Sequence, residues 1–288
     1  MIRHLLNLTK PRISLLFAIT GLTAILVDGT RTSPSLWMWL VSLAIFLVGG
    51  AANGFNQFFE RDIDRQMVRT AKKRPIPQGK VSPRMALIFS IVLAIVGNVM
   101  LYELGGFWSF FWGVFTIVFY SFYYTLWLKP RTPYNIVIGG AAGATAPLIA
   151  WSAVTGNFLG LVPFLMFLIV FIWTPPHFWS LALYYKEDYE KVSYPMFPNI
   201  KGDKATKSQI FWYSALLFPV ALSLYFFGIL GVVYLVGAFI LNLVFLYGAW
   251  MVMKKNDTKI YRKFFAYSIF YLLLLFALMM ADKMIPIK

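Results

Sequence analysis

Nine long apolar stretches alternate with short polar segments along the chain, and charged residues, proline or glycine bound each stretch. A helix that spans a bilayer needs about 20 mainly apolar residues, each rising about 1.5 Å. The pattern therefore predicts an all-α, polytopic membrane protein with nine transmembrane helices in a single domain, residues 1–288. The stretches are residues 13–27, 36–59, 85–104, 107–128, 134–155, 159–185, 210–227, 230–253 and 264–281.

The composition also indicates a membrane protein. Of the 288 residues, 60% are hydrophobic and 13% are charged, and they include 28 Phe, 16 Tyr and 10 Trp. A soluble chain of this length has too small an interior for so many large apolar side chains, so soluble enzyme folds are excluded. Cysteine is absent, which excludes disulfides, a thiolate nucleophile and cysteine-ligated metal centres.

The charge balance predicts the orientation, because 26 Lys and Arg against 11 Asp and Glu give a net charge of +15. With nine spans, 23 of the basic residues fall in the N-terminal segment and in four loops on the same side. Only Arg31, Lys283 and Lys288 fall on the other side. Since basic residues accumulate in cytoplasmic loops, we expect the N-terminus in the cytoplasm and the C-terminus outside. The charge then marks topology, and binding to nucleic acid is not expected.

Polar residues cluster at the end of the second span, in NGFNQFFERDIDRQMVRTAKKRP from Asn53. Asn56, Glu60 and Asp64 recur every fourth residue, so a helix places them on one face. Two carboxylates and an amide suit Mg²⁺, which keeps several waters and takes substrate phosphate oxygens. A solvated, salt-bridged helix end is the alternative. The basic residues that follow would attract a polyphosphate anion, and they are Arg61, Arg65, Arg69, Lys72, Lys73 and Arg74.

A second polar cluster ends the sixth span, in WTPPHFWSLALYYKEDYEKVSYPMFPNIKG from residue 173. The pair Pro175 and Pro176 predicts a break in the helix, which is tolerated where freed backbone groups line a cavity. His177 follows the pair and is either a ligand contact or a hydrogen-bonded packing residue. Three acidic residues come next, on the same predicted side as the first cluster, so a metal-bound diphosphate could lie between the clusters. They are Glu187, Asp188 and Glu190.

A third polar stretch, LKPRTPYNIVIGGAAGATAPLIAW, opens the fifth span. Its small residues are spaced for close approach of another helix. They are Gly139, Gly140, Gly143 and Ala144. Lys129 and Arg131 precede them and either reach a phosphate or follow the cytoplasmic bias of basic residues.

The pattern Asn56-xxx-Glu60-xxx-Asp64 resembles the first Asp-rich motif of the UbiA superfamily of intramembrane prenyltransferases, in which a metal-bound prenyl diphosphate is ionised. Three longer strings, NQFFERDIDRQMVRTAKKRPIPQGKVSP, KPRTPYNIVIGGAAGATAPLIAW and WTPPHFWSLALYYKEDYEKVSYPMFP, are similar to its heme-farnesylating branch and cover about 80 residues. Two departures stand out. Glu60 lies where the family often has Asp, and only Asp188 carries over from the second Asp-rich motif.

The resemblance implies a central cavity open to the cytoplasm and transfer of a farnesyl group from farnesyl diphosphate to a vinyl group of heme B. It implies Mg²⁺ at the catalytic residues, which are Asn56, Glu60, Asp64 and Asp188. It implies basic contacts to the diphosphate, for which the candidates are Arg61, Arg65, Arg69, Lys73 and Arg131. His177 is the candidate heme contact, as an iron ligand or a propionate partner.

The remaining expectations concern location and partners. Neither a cleavable signal nor a transit peptide is apparent, so we expect the plasma membrane of a prokaryote, with lipids around every span. Heme A synthase or terminal oxidase assembly factors are possible partners. One alternative function is prenylation of an aromatic quinone precursor. Another is a secondary transporter, which would place its polar residues near the bilayer midplane.

Overall fold

The computed structural model describes residues 1–28 and 35–285, and over these ranges every regular element is a helix. Four of the helices are seven residues long or shorter, and a π-helical stretch, Phe119–Leu128, continues the sixth helix. The α-helices are α1 (Ile2–Leu8), α2 (Pro11–Asp28), α3 (Leu36–Phe59), α4 (Arg61–Gln66), α5 (Val68–Ala71), α6 (Pro83–Val118), α7 (Asn135–Gly143), α8 (Ala146–Thr155), α9 (Leu161–Tyr184), α10 (Lys186–Lys191), α11 (Phe197–Phe226), α12 (Val232–Lys254) and α13 (Thr258–Met284).

Eight helical segments among the described residues are long and apolar enough to cross a membrane, which confirms an all-helical, multi-pass membrane protein. The third and fourth predicted stretches lie within one 46-residue segment, Pro83–Leu128. Its backbone is not helical at Gly106, where φ is 73° and ψ is −171°. A Cβ at Gly113 would lie 2.5 Å from Asn98 Oδ1, although 15 helical residues would separate them by about 22 Å. The segment therefore folds back on itself at Gly106.

The predicted orientation rested partly on residues outside the described ranges. Arg31 and Lys288, two of the three basic residues assigned to the second side, lie there. Lys283 is described, in the last turn of α13.

The bundle packs through neighbouring helices. α3 lies along α6, α11 packs between α9 and α12, and α13 packs against α12 and α9. α2 contacts both α3 and α8. These contacts bury one continuous apolar core that extends from α2 to α13.

Close approach at the glycines of α7 is confirmed at two positions. A side chain at Gly139 would collide with the ring of Tyr124, and one at Gly140 would lie 3.0 Å from Thr174. The prediction is wrong for Gly143, where an added Cβ meets no atom within 4 Å, because α7 ends there.

The predicted break at Pro175 and Pro176 is wrong, because α9 continues through both residues. Each proline removes one intrahelical N–H donor. Just before the pair, Thr174 Oγ1 donates to the Val170 carbonyl within α9 at 2.8 Å. Trp173 Nε1 donates to the Ser268 carbonyl of α13 at 2.9 Å, which ties α9 to α13 beside the prolines.

Candidate functional site

Two carboxylates lie buried where α3 ends and α4 begins. Glu60 is 3% exposed and Asp64 is 1% exposed. The guanidinium of Arg74 contacts both, with Nη1 3.2 Å from Glu60 Oε2 and hydrogen-bonded to Asp64 Oδ2. Lys129, at the end of the π-helical stretch, donates to the other oxygen of Glu60. Each buried carboxylate thus has a cationic partner.

Asn56 completes the predicted stripe one turn earlier on α3. Its Oδ1 accepts from Lys10 Nζ at 3.3 Å, and its Nδ2 donates to Thr125 Oγ1 at 3.2 Å. Lys10 lies in the turn between α1 and α2, where its φ is 47°. The stripe therefore meets three basic side chains from distant segments. The paired-charge cluster is the name used below for Lys10, Asn56, Glu60, Asp64, Arg74 and Lys129.

Two cations, Arg74 and Lys129, are paired with the two carboxylates, and Lys10 is a third basic group, bound to the Asn56 amide. Burial alone would raise the pKa of Glu60, but the charges of Lys129 and Arg74 outweigh it and lower that pKa to about 2. Burial and the nearby charge of Arg74 lower the pKa of Lys10 well below its ordinary value. Glu60 is therefore ionised at neutral pH.

The cluster nevertheless has the donor set that Mg²⁺ requires. Within residues 1–28 and 35–285, no three Asp, Glu or His side chains converge on one metal position. Glu60 and Asp64 do converge, because both bind the same nitrogen of Arg74. Two carboxylates and the Asn56 amide oxygen fit an ion that completes its coordination with water and substrate phosphate. In this structure the guanidinium of Arg74 lies between the carboxylates of Glu60 and Asp64.

Asp188 joins the second predicted cluster to the first through the main chain. Its carboxylate accepts hydrogen bonds from the backbone N–H groups of Val68, at 3.2 Å, and Arg69, at 2.8 Å. Lys191 Nζ lies 3.9 Å away. The two clusters do meet, but Asp188 holds the segment that follows Asp64 and shares no cation with it in this structure.

The predicted phosphate contacts of α4 have other partners. Arg61 donates to the Phe58 carbonyl at 2.9 Å and lies over the Phe58 ring. Arg65 is exposed and lies 3.4 Å from Asp62. Asp62 is exposed and pairs with these arginines.

The remaining predicted contacts are dispersed. Arg69 lies over the rings of Tyr185 and Tyr189, and its buried Nε has no hydrogen-bond partner among the described residues. Lys73 lines a separate cavity of about 360 Å³ with Arg3 and other basic residues of α1 and the 72–80 segment. Arg131 is exposed and binds the carbonyls of Leu126 and Trp127. Among these residues, Arg69 belongs to the segment whose backbone N–H groups donate to Asp188.

Sequence reasoning missed part of the site. Lys10 and Thr125 were not singled out, and Arg74 and Lys129 were considered for contact with a phosphate anion and not as partners of the carboxylates. Tyr194 was also missed, and its ring lies 4.8 Å from Lys129 Nζ. Burial and the charge of Glu60 raise the pKa of this phenol, which keeps it neutral. The π-helical geometry around Thr125 gives a sequence no visible signal.

His177 lies in an aromatic stack within α9. Its ring centroid is 4.3 Å from that of Trp173 and 4.5 Å from that of Phe265. Its Nδ1 is 2.6 Å from Ser268 Oγ on α13. These are the contacts of the hydrogen-bonded packing residue that the sequence allowed as one of two roles.

A large cavity of about 1140 Å³ lies beside Asp188, between α9, α10 and α11 and the connection from α12 to α13. Five lysines, three acidic residues and several apolar and aromatic side chains line it. We call it the lysine-lined cavity, and its charged residues are Lys186, Lys191, Lys204, Lys207, Lys254, Glu187, Asp188 and Asp203.

Comparisons with known proteins bear on the family and the fold of the chain. The UbiA prenyltransferase family matches residues 14–275. The chain is 41% identical over 281 residues to a protoheme IX farnesyltransferase of Bartonella henselae, which covers 96% of this chain and 89% of the relative. It is 44% identical over 278 residues to the protoheme IX farnesyltransferase of Gloeobacter violaceus, with coverage of 96% and 90%. Among solved structures, a UbiA homologue from Archaeoglobus fulgidus bound to GPP and Mg²⁺ shares the fold, with a TM-score of 0.67, 15% identity and coverage of 96% and 99%.

Proposed function

Because the chain belongs to the UbiA prenyltransferase family, we propose that it transfers a farnesyl group from farnesyl diphosphate to a vinyl group of heme B. Diphosphate leaves and heme O forms. The relatives named for farnesyl transfer to protoheme IX match almost the whole chain and most of their own length, which supports this reaction over prenylation of a small aromatic ring.

The single observation that supports this function most directly is the paired-charge cluster. Its carboxylates and amide are the groups that would hold Mg²⁺, and its lysines and arginine are the groups that would bind diphosphate oxygens. Mg²⁺ bound there would neutralise charge on the leaving diphosphate. The residues proposed to hold it are Asn56, Glu60, Asp64 and Asp188.

The diphosphate contacts proposed first are those nearest the carboxylates. Arg74 and Lys129 donate to carboxylate oxygens in this structure and can turn the same N–H groups to phosphate oxygens. Lys10 adds charge from the turn before α2, and Arg69 has an unused buried donor. Contacts by the four other predicted residues remain predictions, since each has another partner or lies in another cavity. They are Arg61, Arg65, Lys73 and Arg131.

The proposed reaction balances without a redox partner. The C1–O bond of farnesyl diphosphate breaks and its electron pair leaves with the diphosphate. The electrons of the vinyl group form the new carbon–carbon bond to C1 of the allylic cation. Water adds to the cation that remains next to the porphyrin and loses a proton, which leaves a hydroxyl group. A site that excludes water until the bond has formed would protect the allylic cation.

We also infer the topology. The two halves of Pro83–Leu128, which fold back at Gly106, count as separate crossings, so the spans number nine. The paired-charge cluster and the basic loops then lie on the cytoplasmic side, where the central cavity opens, and the C-terminus lies outside. The protein is proposed to act as one domain over residues 1–288 in a prokaryotic plasma membrane. Heme A synthase and oxidase assembly factors are its proposed partners.

The role of His177 as a heme contact stays a proposal beside its packing role. The test is His177→Ala in purified protein, with heme B affinity read from the Soret band and turnover measured separately. A changed Soret maximum or a weakened affinity would support the contact. Unchanged heme binding and turnover, in a variant that retains its thermal stability, would remove it.

The reaction itself is tested with purified protein, farnesyl diphosphate and Mg²⁺. We expect diphosphate release only when heme B is added, with heme O identified by mass spectrometry, and no release after chelation of the metal. Release with hydroxybenzoate in place of heme B would instead identify an enzyme for quinone precursors. No release with either acceptor would contradict a prenyltransferase and favour a transporter.

A further inference from the structure

We propose that the lysine-lined cavity binds the two propionate groups of the heme substrate, an inference that rests on the function proposed above. The paired-charge cluster contains the residues suited to a diphosphate, but it offers no second set of cations for a dicarboxylate. The lysine-lined cavity is separate from the cluster and is bordered by Asp188, which contacts the segment after Asp64.

The first argument is the balance of charges in the cavity. Lys186 Nζ is paired with Asp203 at 2.9 Å, and Lys191 lies 3.9 Å from Asp188. Three further lysines line the same space and form no ion pair with any residue in the described parts of the chain. They are Lys204, Lys207 and Lys254. The cavity thus has three cations available for an anionic ligand.

The second argument is the environment of Lys207, which is 5% exposed. Its Nζ donates to the Lys255 carbonyl at 3.1 Å and to Asn256 Oδ1, and it lies over the ring of Tyr261. These acceptors are neutral. A buried ammonium costs free energy unless an anion compensates for its lost hydration. A carboxylate that enters the cavity would supply that anion.

The third argument is the shape and lining of the space. A volume of about 1140 Å³ admits a ligand much larger than a phosphate ion. Tyr184, Tyr185, Leu183 and Met253 line the wall along with the lysines. A porphyrin has wide apolar faces, with its propionates at one edge and vinyl groups elsewhere on the rim. Lys204 and Lys207 lie one turn apart on α11, and Lys207 binds the backbone next to Lys254. A lining that combines these lysines with aromatic and apolar side chains suits a porphyrin with propionates at one edge.

The fourth argument is the position of the cavity relative to the proposed farnesyl diphosphate site. Val68 and Asp188 belong to the lining, and Asp188 accepts from the N–H groups of Val68 and Arg69. The segment that borders the cavity therefore leads directly from Asp64. A heme anchored through its propionates at the lysines can direct its vinyl-bearing rim toward the farnesyl diphosphate.

The proposal is tested by heme binding in uncharged detergent, without farnesyl diphosphate or Mg²⁺. Heme B and its dimethyl ester are titrated into the native protein, with the Soret band as readout. We expect the free diacid to bind at least about tenfold more tightly than the ester, because only the diacid forms charge-assisted hydrogen bonds. In K204Q/K254Q, which changes two exposed side chains, the diacid should lose about tenfold in affinity and the ester should be unaffected.

The matched control is K80Q/K201Q, which removes two exposed lysines outside this cavity and should bind both ligands as the native protein does. A second variant, K207Q, should lose more affinity than K204Q/K254Q, provided that its melting temperature shows it is folded. In turnover, the KM for heme B should rise in K204Q/K254Q with kcat unchanged, as expected for a residue that binds the substrate away from the reacting atoms.

Two results would overturn the proposal. One is equal affinity of the native protein for heme B and its dimethyl ester. The other is a loss of heme affinity that is the same in K204Q/K254Q and K80Q/K201Q, since that would report only the net charge. If the native protein still makes heme O in either case, the proposed function stands and only the propionate site fails. If it neither binds heme nor releases diphosphate, the proposed function fails as well.

Discussion

The paired-charge cluster and the lysine-lined cavity are both rich in basic side chains and are both bordered by the segment that Asp188 holds, but their charges are arranged differently. In the cluster, Glu60 and Asp64 are buried and ion-paired with Arg74 and Lys129. In the cavity, three lysines lack an acidic partner among the described residues and most of the space is open. Burial accounts for the pairing in the cluster, because opposite charges in a medium of low dielectric constant must pair or be neutralised. Of the three cavity lysines, Lys204 and Lys254 are exposed, and Lys207 is buried among neutral acceptors.

The difference predicts two modes of anion binding. A diphosphate at the cluster requires Arg74 and Lys129 to exchange carboxylate oxygens for phosphate oxygens, which leaves Glu60 and Asp64 in need of another cation. Binding at the cluster should therefore depend on a divalent metal. An anion in the lysine-lined cavity displaces no ion pair of Lys204, Lys207 or Lys254, so binding there should be independent of metal.

The largest expected effect comes from Glu60→Gln, which leaves Lys129 and half of the Arg74 contact without an anion. Removing one partner of a buried pair costs about 3–5 kcal/mol. Loss of a group that stabilises the transition-state charge costs about 10²–10³-fold in rate. We expect both, measured as the free energy of unfolding and as heme-dependent diphosphate release. Glu60→Asp, which retains the charge, should recover most of the stability.

The control is Asp62→Asn, a neighbouring carboxylate that is exposed and contacts only surface arginines. It should change stability by less than about 0.5 kcal/mol. If the two variants behaved alike, the cluster would be no more than a solvated helix end.

A smaller effect is expected from pH, through Glu60. Its pKa falls from 4.5 to about 2 on folding, a difference of about 3 kcal/mol between the two protonation states. Because the folded pKa lies below the unfolded one, this stability is fully present above the unfolded value and is lost as the pH falls toward 2. Melting temperatures between pH 6 and about pH 2.5 should fall less steeply in Glu60→Gln than in the native protein. Parallel curves would contradict the ion pairing of Glu60.

The smallest of the three effects is expected from Asp188→Asn, which changes the residue shared by the two regions. The carboxylate accepts one hydrogen bond at each oxygen, from the N–H groups of Val68 and Arg69. An asparagine amide has a single acceptor oxygen and cannot reproduce both bonds. The loss should be about 1–3 kcal/mol of stability. The segment that Asp188 binds, at Val68 and Arg69, borders both the paired-charge cluster and the lysine-lined cavity. KM should therefore rise for farnesyl diphosphate and for heme B together.

Glu190→Gln is the matched control for that variant, since Glu190 is exposed, lies two residues away on α10 and is outside the lining of the lysine-lined cavity. It should leave stability and both KM values within error. A rise in KM for only one substrate in Asp188→Asn would mean that the segment serves a single region.

The cluster was predictable only where its geometry is local. Asn56, Glu60 and Asp64 share a helix face because α3 and α4 follow one another with nearly helical spacing. Lys10 contacts Asn56 from 46 residues away, and Thr125 does so from 69 residues away. Contacts between residues so far apart in the chain produce no periodic pattern in the sequence. The π-helical register that presents Thr125 and Lys129 also differs from the α-helical register assumed for an apolar run.

Two backbone features show the same limit. Apolar runs on both sides of Gly105 and Gly106 predicted two spans, and the positive φ of Gly106 supplies the reversal that a run of helix-forming residues would not. Pro175 and Pro176 predicted a break that the packing of α9 against α13 overrides. Proline removes donors in every context, but the neighbours of a helix decide whether it still continues.

The sequence by itself determined the all-helical membrane architecture, the family and the Asn56–Glu60–Asp64 stripe, because hydrophobic composition, motif spacing and helical periodicity are properties of contiguous residues. Only the tertiary structure decided that Arg74 and Lys129 pair with the carboxylates of this stripe and that Lys10 binds its amide. It also decided that Asp188 binds backbone N–H groups, and that three lysines with no acidic partner among the described residues line one cavity. These arrangements join segments that lie far apart in the chain, and their energies depend on burial and distance, which folding alone establishes.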